Sequence, residues 1–394
     1  MQKDIDYNGF KNLIRFYKSP DKIPSEDLIF VQDKVWMCDL FDEERWAMVP
    51  SAEKYWRKEG FPYPIRNVKE ITEEYDKLLD FDIDSMWVPE TREMMQNNIG
   101  LNTVNCFHPH KYSVKCKQYR SPMVTFENNE FFRKVLFKTM KFSGNPLRRT
   151  GLRNMIGISS GTHAVSNFRP TVARYIYTKY CPVDGKVLDP SMGYSGRLFG
   201  ALASHISHYE GCDPCVETFK GNQALVDTIE EIDSKRNRLS CFMDDGERKS
   251  RVPKTILHNI PFEEYKGQSN FFDLVFTSPP YFDTERYSNE DTQSWKRYPK
   301  PEQWTDGFLR PLITTSYRVL KKGGKLILNV YGNDTCIFLE KDTKRIAEEV
   351  FGHGISDTIY LQMSKLMGIK NQGVIENRND RFDHKIEPLF VWTK

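Results

Sequence analysis

The run DLVFTSPPYFDTERYSNED, residues 273–291, ends an apolar stretch in Ser278, Pro279, Pro280 and Tyr281. Proline gives no N–H to a strand ladder and fixes its own φ, so the strand stops at Ser278 and the peptides that follow are stiff. The corner presents a hydroxyl at Ser278, a rigidly placed carbonyl at Pro279 and an aromatic face at Tyr281. Such acceptors beside a flat ring could line a ligand site. The plainer alternative is a Pro-Pro turn whose Tyr281 fills the core.

A second group of residues could hold a ligand beside that corner. DPSMGYSGRL, residues 189–198, leaves a buried run and opens a helical one. Gly193 and Gly196 allow a tight turn and close approach of backbone to a ligand. The loop lacks both the Gly-x-Gly-x-x-Gly spacing and the Lys-Ser/Thr of a P-loop, which argues against dinucleotides and nucleoside triphosphates. Asp213 follows at the end of the next apolar run. An acid there can accept both hydroxyls of a ribose, and it can also cap the helix that DPCVE begins. Metal chemistry is not expected. Cys212 and Cys215 have CxxC spacing without a matching second pair or histidines, and HPH at 108–110 does not supply one.

The elements that must position these residues alternate. RPTVARYIYTKY (169–180) has helical spacing; KVLDPS (186–191), HYEGCDP (208–214), KTILHN (254–259) and FFDLVFTS (271–278) read as strands, with helices after the first two. WTDGFLRPLITTSYRVL (304–320) reads as a helix ended by the glycines of KKGG. KLILNVYG (325–332), a helix over 342–352, and strands at 358–364 and 389–394 complete the series. Strand–helix alternation of this kind predicts an α/β, Rossmann-like doubly wound sheet, whose ligands bind at the carboxyl ends of its strands. Residues 1–150 show broken, mixed patterns, with short helices at SAEKYWRKEG and VKEITEEYDKLLDF and prolines at 20, 24, 50, 62, 64 and 89. The expected division is therefore an N-terminal α-rich or mixed region, 1–150, which could serve nucleic-acid recognition, and an α/β domain, 151–394.

DPSMGYSG followed by TSPPYF resembles the S-adenosylmethionine-dependent DNA amino-methyltransferases, of the adenine-N6 and cytosine-N4 type. That family carries a DPFxGSG-like loop after its first strand and [DNS]PP[YF] after its fourth. SNFRPTVARYIY (166–177) is similar to the family's cofactor-side segment, and GGKLILNV and EPLFVWTK to its later strands, so the resemblance covers residues 160–394. It implies a class I methyltransferase fold and S-adenosylmethionine as cofactor, held by Asn167, Phe168, Arg169, Asp189, Pro190, Ser191, Gly193, Ser195, Gly196, Asp213, Pro214 and Phe262. Phe262 occupies the adenine slot, although it could simply pack. The resemblance further implies catalysis by Ser278, Pro279, Pro280 and Tyr281 on an exocyclic amine of a DNA base, with RNA as the alternative substrate. A non-catalytic nucleic-acid-binding protein is the contrasting class, and the intact SPPY argues against it. An aromatic base amine is a poor nucleophile because its lone pair is delocalised. Hydrogen bonds to Ser278 and to the Pro279 carbonyl favour a pyramidal nitrogen, while Tyr281 stacks on the flipped-out base. The polar run 282–299 reads as a lid or substrate loop.

Charge adds an expectation about partners. The net charge is only +3, yet residues 1–100 hold 21 acids against 14 bases, and residues 111–153 hold eleven bases against two acids. Lys141, Arg148, Arg149 and Arg153 in that segment are candidate phosphate contacts, with an ordinary solvated face as the alternative. Aromatics make up 13% of the chain, which suits a large core and surfaces for base stacking. No apolar run is long enough to span a membrane, the N-terminus has no signal-peptide pattern, and eight scattered cysteines fit free thiols, so a cytoplasmic protein is expected.

Overall fold

A computed structural model describes residues 40–241, 252–332, 336–362 and 386–394. The readings placed on residues 1–39, including Cys38 and the N-terminal stretch, and on the end of the 358–364 strand lie outside the described residues. The chain divides into two compact units: residues up to 65 with 109–165, and 66–108 with 166–394. These boundaries differ from the expected break at 150/151, because residues 66–108 return to the sheet.

The sheet unit is built on β1 (Lys186–Asp189), β2 (His208–Cys212), β3 (Lys254–His258), β4 (Phe272–Thr277), β5 (Leu320–Asn329), β6 (Asp357–Gln362) and β7 (Ile386–Thr393). Their order is β3-β2-β1-β4-β5-β7-β6, and a short hairpin, Trp87–Val88 with Glu93–Met94, extends the β6 edge. Strands β1 to β5 are mutually parallel and β7 runs antiparallel between β5 and β6. This is the α/β doubly wound sheet that the sequence predicts. Successive residues of the central strands point to opposite faces. Val187, Leu274, Phe276 and Ile327 enter one core, while Leu188, Val275, Leu326 and Leu328 enter the other. A strand buried on both faces needs a continuous apolar run, and that is why β1 and β4 were legible.

Helices α1 (Val68–Asp80), α2 (Leu101–Cys106), α3 (Pro170–Tyr180), α4 (Gly196–Leu202), α5 (Val216–Cys241), α6 (Arg310–Val319) and α7 (Ile337–Phe351) cover the two faces. Pro170 starts α3 in the first turn, where its missing N–H costs nothing. Asn67 and Glu70 form a capping box that starts α1. The glycines after α6 do not form the expected loop. Leu320 is already extended, β5 begins there, and the 321–324 stretch is taken up as an irregularity in the pairing with β4, with Gly323 at φ 79°. Residues 66–108 are tied in by buried polar contacts: the Tyr75 hydroxyl donates to the Leu202 carbonyl at 2.7 Å, and Arg174 donates to the carbonyls of Leu78 and Phe81.

The other unit packs helices 42–59, 122–127, 129–143 and 149–157 around Trp56, Phe132, Leu136, Met140 and Leu152. SAEKYWRKEG is the second half of its first helix, which runs on through Pro50. Here the basic segment meets the acidic one. Lys141 pairs with Asp42, Arg133 with Glu53 and Arg149 with Glu59, while Arg153 donates to the Pro62 carbonyl. Three of the four candidate phosphate contacts are thus engaged within the unit; Arg148, exposed, has no ion pair among the described residues.

If residues 66–108 belong to the sheet unit, Tyr75→Phe removes a buried hydrogen bond that joins them to it. Urea unfolding should show a loss of about 1 kcal/mol. A variant as stable as the parent protein counts against that assignment.

Candidate active site

Strand order places the site. The winding reverses between β1 and β4, and a ligand crevice forms at the carboxyl ends of strands beside such a reversal. Asp189 ends β1 and Thr277 ends β4. The glycine loop and the Ser-Pro-Pro-Tyr corner therefore leave the sheet side by side.

A buried charge cluster holds the two exits together. The Asp189 carboxylate is fully buried and accepts from Arg197 Nε at 2.7 Å, Tyr209 Oη at 3.0 Å, Thr277 Oγ1 at 2.8 Å and the Ser191 amide at 3.2 Å. Arg197 also donates to the Ser191 carbonyl. Burial alone would lower the pKa of this guanidinium, but the charge and hydrogen bond of Asp189 outweigh it and raise the value. Asp189 was expected to touch the cofactor. Its oxygens are turned inward, and its place in the site is to shape the loop. Pro190, next to it, is buried as well.

Loop 191–196 is clamped from outside. Gly193 has φ 56°, and a Cβ built on it meets only Ser191 O, 3.8 Å away, so its surroundings are open. Its amide donates to Asp213 Oδ2 at 3.1 Å and its carbonyl accepts from Asn222 Nδ2 at 2.9 Å. Gly196 is required for another reason: a Cβ there would overlap the Phe168 carbonyl. Asn167 Nδ2 donates to the Tyr194 carbonyl at 2.7 Å, so the 166–169 segment is seated on the loop. Ser195 is fully buried between His108 and Asn222, against the expectation that it faces a ligand. Sequence reasoning missed His108, Asn222 and Arg197 as parts of this arrangement. The HPH pattern drew attention only as a metal candidate, and nothing local marks the other two.

Asp213 and Arg169 are two further charged groups of this arrangement. Asp213 Oδ1 accepts from the Cys215 amide at 2.9 Å, so the capping reading holds. Burial pushes its pKa up to about 7, against the lowering effect of the Cys215 and Gly193 amides. Arg169 donates to Gln96 Oε1, burial lowers its pKa, and its buried Nε has no hydrogen-bond partner among the described residues. An anion would satisfy it. Phe262 is only 2% exposed and stacks on Tyr265 with ring centroids 5.4 Å apart. The expected adenine contact is thus a core residue. Pro214 is half-buried. Burial raises the thiols of Cys212 and Cys215, which keeps both protonated.

At the corner, Pro279 is buried and Ser278 and Pro280 are half-buried. The Tyr281 hydroxyl donates to the Asn329 carbonyl at 3.4 Å. Burial pushes this phenol well up, partly offset by a hydrogen bond from the Ser278 side chain. Tyr281 is half-buried against the core, so part of the plainer reading is met as well. Phe282, at φ 51°, is braced by Trp304 and Phe338. The chain then runs back over the cofactor side. Tyr287 meets Tyr194, Glu290 accepts from the Val216 amide, Thr292 donates to the Pro214 carbonyl, and Arg297 pairs with Glu263 and Glu264.

Residues 272–394 match the family model of N6/N4-type DNA methylases. A search of curated proteins returns no match. Among solved structures, a putative rRNA methylase from Clostridium thermocellum is similar at 10% identity and TM-score 0.35, over 58% of this chain and 100% of its own. The tRNA (m1A58) methyltransferase of Aquifex aeolicus is similar at 10% identity and TM-score 0.32, over 58% and 71%. An O-methyltransferase from Thermotoga maritima is similar at 12% identity and TM-score 0.32, over 58% and 67%. The family match, together with the strand order, makes the chain a methyltransferase with S-adenosylmethionine as its cofactor.

Arg197→Met should strand the Asp189 carboxylate without its counter-charge. The loss expected in urea unfolding is about 3–5 kcal/mol, and Asp189→Leu added to it should recover part of that loss. Parent-like stability of the single variant contradicts the cluster's role.

Proposed function

We propose, from the DNA-methylase match of residues 272–394 and the side-by-side exit of the two loops, that this methyltransferase acts on an exocyclic amine of a DNA base, cytosine N4 or adenine N6. The observation that carries the reading is the Thr277–Asp189 hydrogen bond, which ties the end of β4, one residue before Ser278, to the start of the glycine loop. The residues present fit the cofactor. Gly193 leaves a cradle that a Cβ would narrow, Arg169 is a desolvated cation suited to a carboxylate, and Asp213 is an acceptor suited to ribose hydroxyls. Asn167 and Phe168 hold the loop rather than the ligand. When bound, the cofactor supplies an electrophilic methyl on a sulfonium.

The corner's part is to ready the amine. Ser278 Oγ and the Pro279 carbonyl accept its two N–H groups, which turns the nitrogen lone pair out of the ring plane. Pro279 and Pro280 keep those acceptors from reorganising during the reaction. The Tyr281 ring supports the base. Of the four candidate phosphate contacts, Arg148 is the one whose side chain has neither an ion pair nor a hydrogen bond among the described residues.

Mass spectrometry of nucleosides from DNA and RNA of expressing cells tests the substrate. Methylated cytosine or adenine amines should appear in DNA; their appearance in RNA alone would replace DNA as the substrate. Ser278→Ala should cut turnover roughly tenfold to a hundredfold while cofactor affinity stays within about twofold. Unchanged turnover would make the corner structural.

Protonation of Asp213 gives a second test. Its folded pKa of about 7 lies above the ordinary carboxylate value, so ionisation opposes folding as pH rises from about 4 to 7. For binding the sign is reversed, because ribose hydroxyls donate to the ionised form. Calorimetric affinity for S-adenosylmethionine should be highest above pH 7 and fall by up to about tenfold per unit below it. Asp213→Asn should flatten that dependence, and a flat profile for the parent protein would falsify the ribose assignment.

A further inference from the structure

We infer that His108 is a positioning residue for the cofactor loop, acting through Ser195 and Asn222; this rests on the reading of residues 189–196 as that loop. His108 is fully buried, and its Nε2 lies 2.6 Å from Ser195 Oγ. The Ser195 hydroxyl donates its single hydrogen to Asn222 Oδ1 at 2.6 Å, so His108 Nε2 is the donor to Ser195. Asn222 has its amide orientation set in turn, because its Nδ2 donates to the Gly193 carbonyl at 2.9 Å. The chain of donors thus runs one way, from His108 through Ser195 and Asn222 to the Gly193 peptide. The far side of Gly193 is held by Asp213, through its amide.

The hold matters because the loop is strained. Gly193 has φ 56° and Ser195 has φ 65°. A non-glycine residue in the left-handed region is strained, and Ser195 persists there only where its surroundings over-determine it. Here the surroundings are the buried imidazole and the buried amide, one from each side of the Ser195 hydroxyl. The fold also leaves a place for the ring. A Cβ at Gly221, on α5, would come within 2.6 Å of His108 Nδ1, and the other side of the imidazole packs on Tyr194 with centroids 5.4 Å apart. Residues 66–108, which carry no part of the corner or the glycine loop, reach Ser195 through His108, while Gln96 and Asn105 of the same stretch meet Arg169 and Asn167.

Two readouts on the full chain test the inference. The first is calorimetric affinity for S-adenosylmethionine; the second is hydrogen exchange at the 193–196 amides without ligand. His108→Phe keeps the volume and removes the donor. It should weaken binding about five- to tenfold, speed exchange of those amides by a similar factor, and leave turnover at saturating cofactor within about twofold. His108→Gln, which offers an amide donor, should restore both readouts. Ser195→Ala should reproduce the losses of His108→Phe, with the double variant no worse than either single. Should His108→Phe fail to fold, Ser195→Ala and His108→Gln carry the test. Parent-like affinity and exchange in Ser195→Ala, or losses that simply add in the double variant, overturn the inference. If the parent protein does not bind S-adenosylmethionine, the proposed function is at fault, and the exchange readout still decides whether His108 holds the loop.

Discussion

Burying a carboxylate removes several kcal/mol of hydration, and Asp189 recovers it only because donors converge on it from four places. Arg197 comes from α4, Tyr209 from β2, Thr277 from β4, and the Ser191 amide from the loop itself. None of these can shift without stranding the charge. The requirement to satisfy one buried anion therefore sets where α4 begins, how β2 and β4 flank β1, and how the chain turns at Ser191. The corner at 278–281 inherits its position from the same constraint, since Thr277 immediately precedes it.

Around that centre, contacts are arranged so that ligand-facing groups are few and their supports many. Asn167 and Phe168 seat the 166–169 segment on the loop, His108 and Asn222 hold Ser195 and Gly193, Gly193 keeps open surroundings, and Arg169 keeps a buried donor without a partner among the described residues. The strap after the corner adds a further coupling. Residues 287–297 touch Tyr194, Pro214, Val216 and Glu263, all on the cofactor side, while the strap is continuous with the residues that would hold the amine.

The second unit changes the meaning of its own charge. A segment of eleven bases against two acids reads as a polyanion strip. Folding sets Asp42, Glu53 and Glu59 against Lys141, Arg133 and Arg149. Exposed pairs such as Lys141–Asp42 and Arg149–Glu59 contribute about 0–1 kcal/mol each, so they are not what stabilises the helices; Trp56 and Phe132 in the core do that. Their effect is to reduce the field available to a phosphate backbone.

What the sequence determined by itself was whatever depends on local pattern. Apolar runs at 186–189 and 272–277 gave strands because a central strand is buried on both faces. Pro170 started a helix, and Pro279 and Pro280 stopped a strand, because proline removes a donor wherever it stands. The corner and the glycine loop were legible for the same reason, as short stretches whose chemistry is nearly complete in one segment. Tertiary structure decided everything that needs a partner from afar. Asp189 looked like a ligand contact until Arg197, Tyr209 and Thr277 enclosed it, and Phe262 looked available until Tyr265 stacked on it. His108 had no visible purpose until the chain brought it 87 positions forward to Ser195. Local pattern reports the backbone's own preferences; whether a polar atom faces a ligand or another residue is settled only by what else is buried beside it.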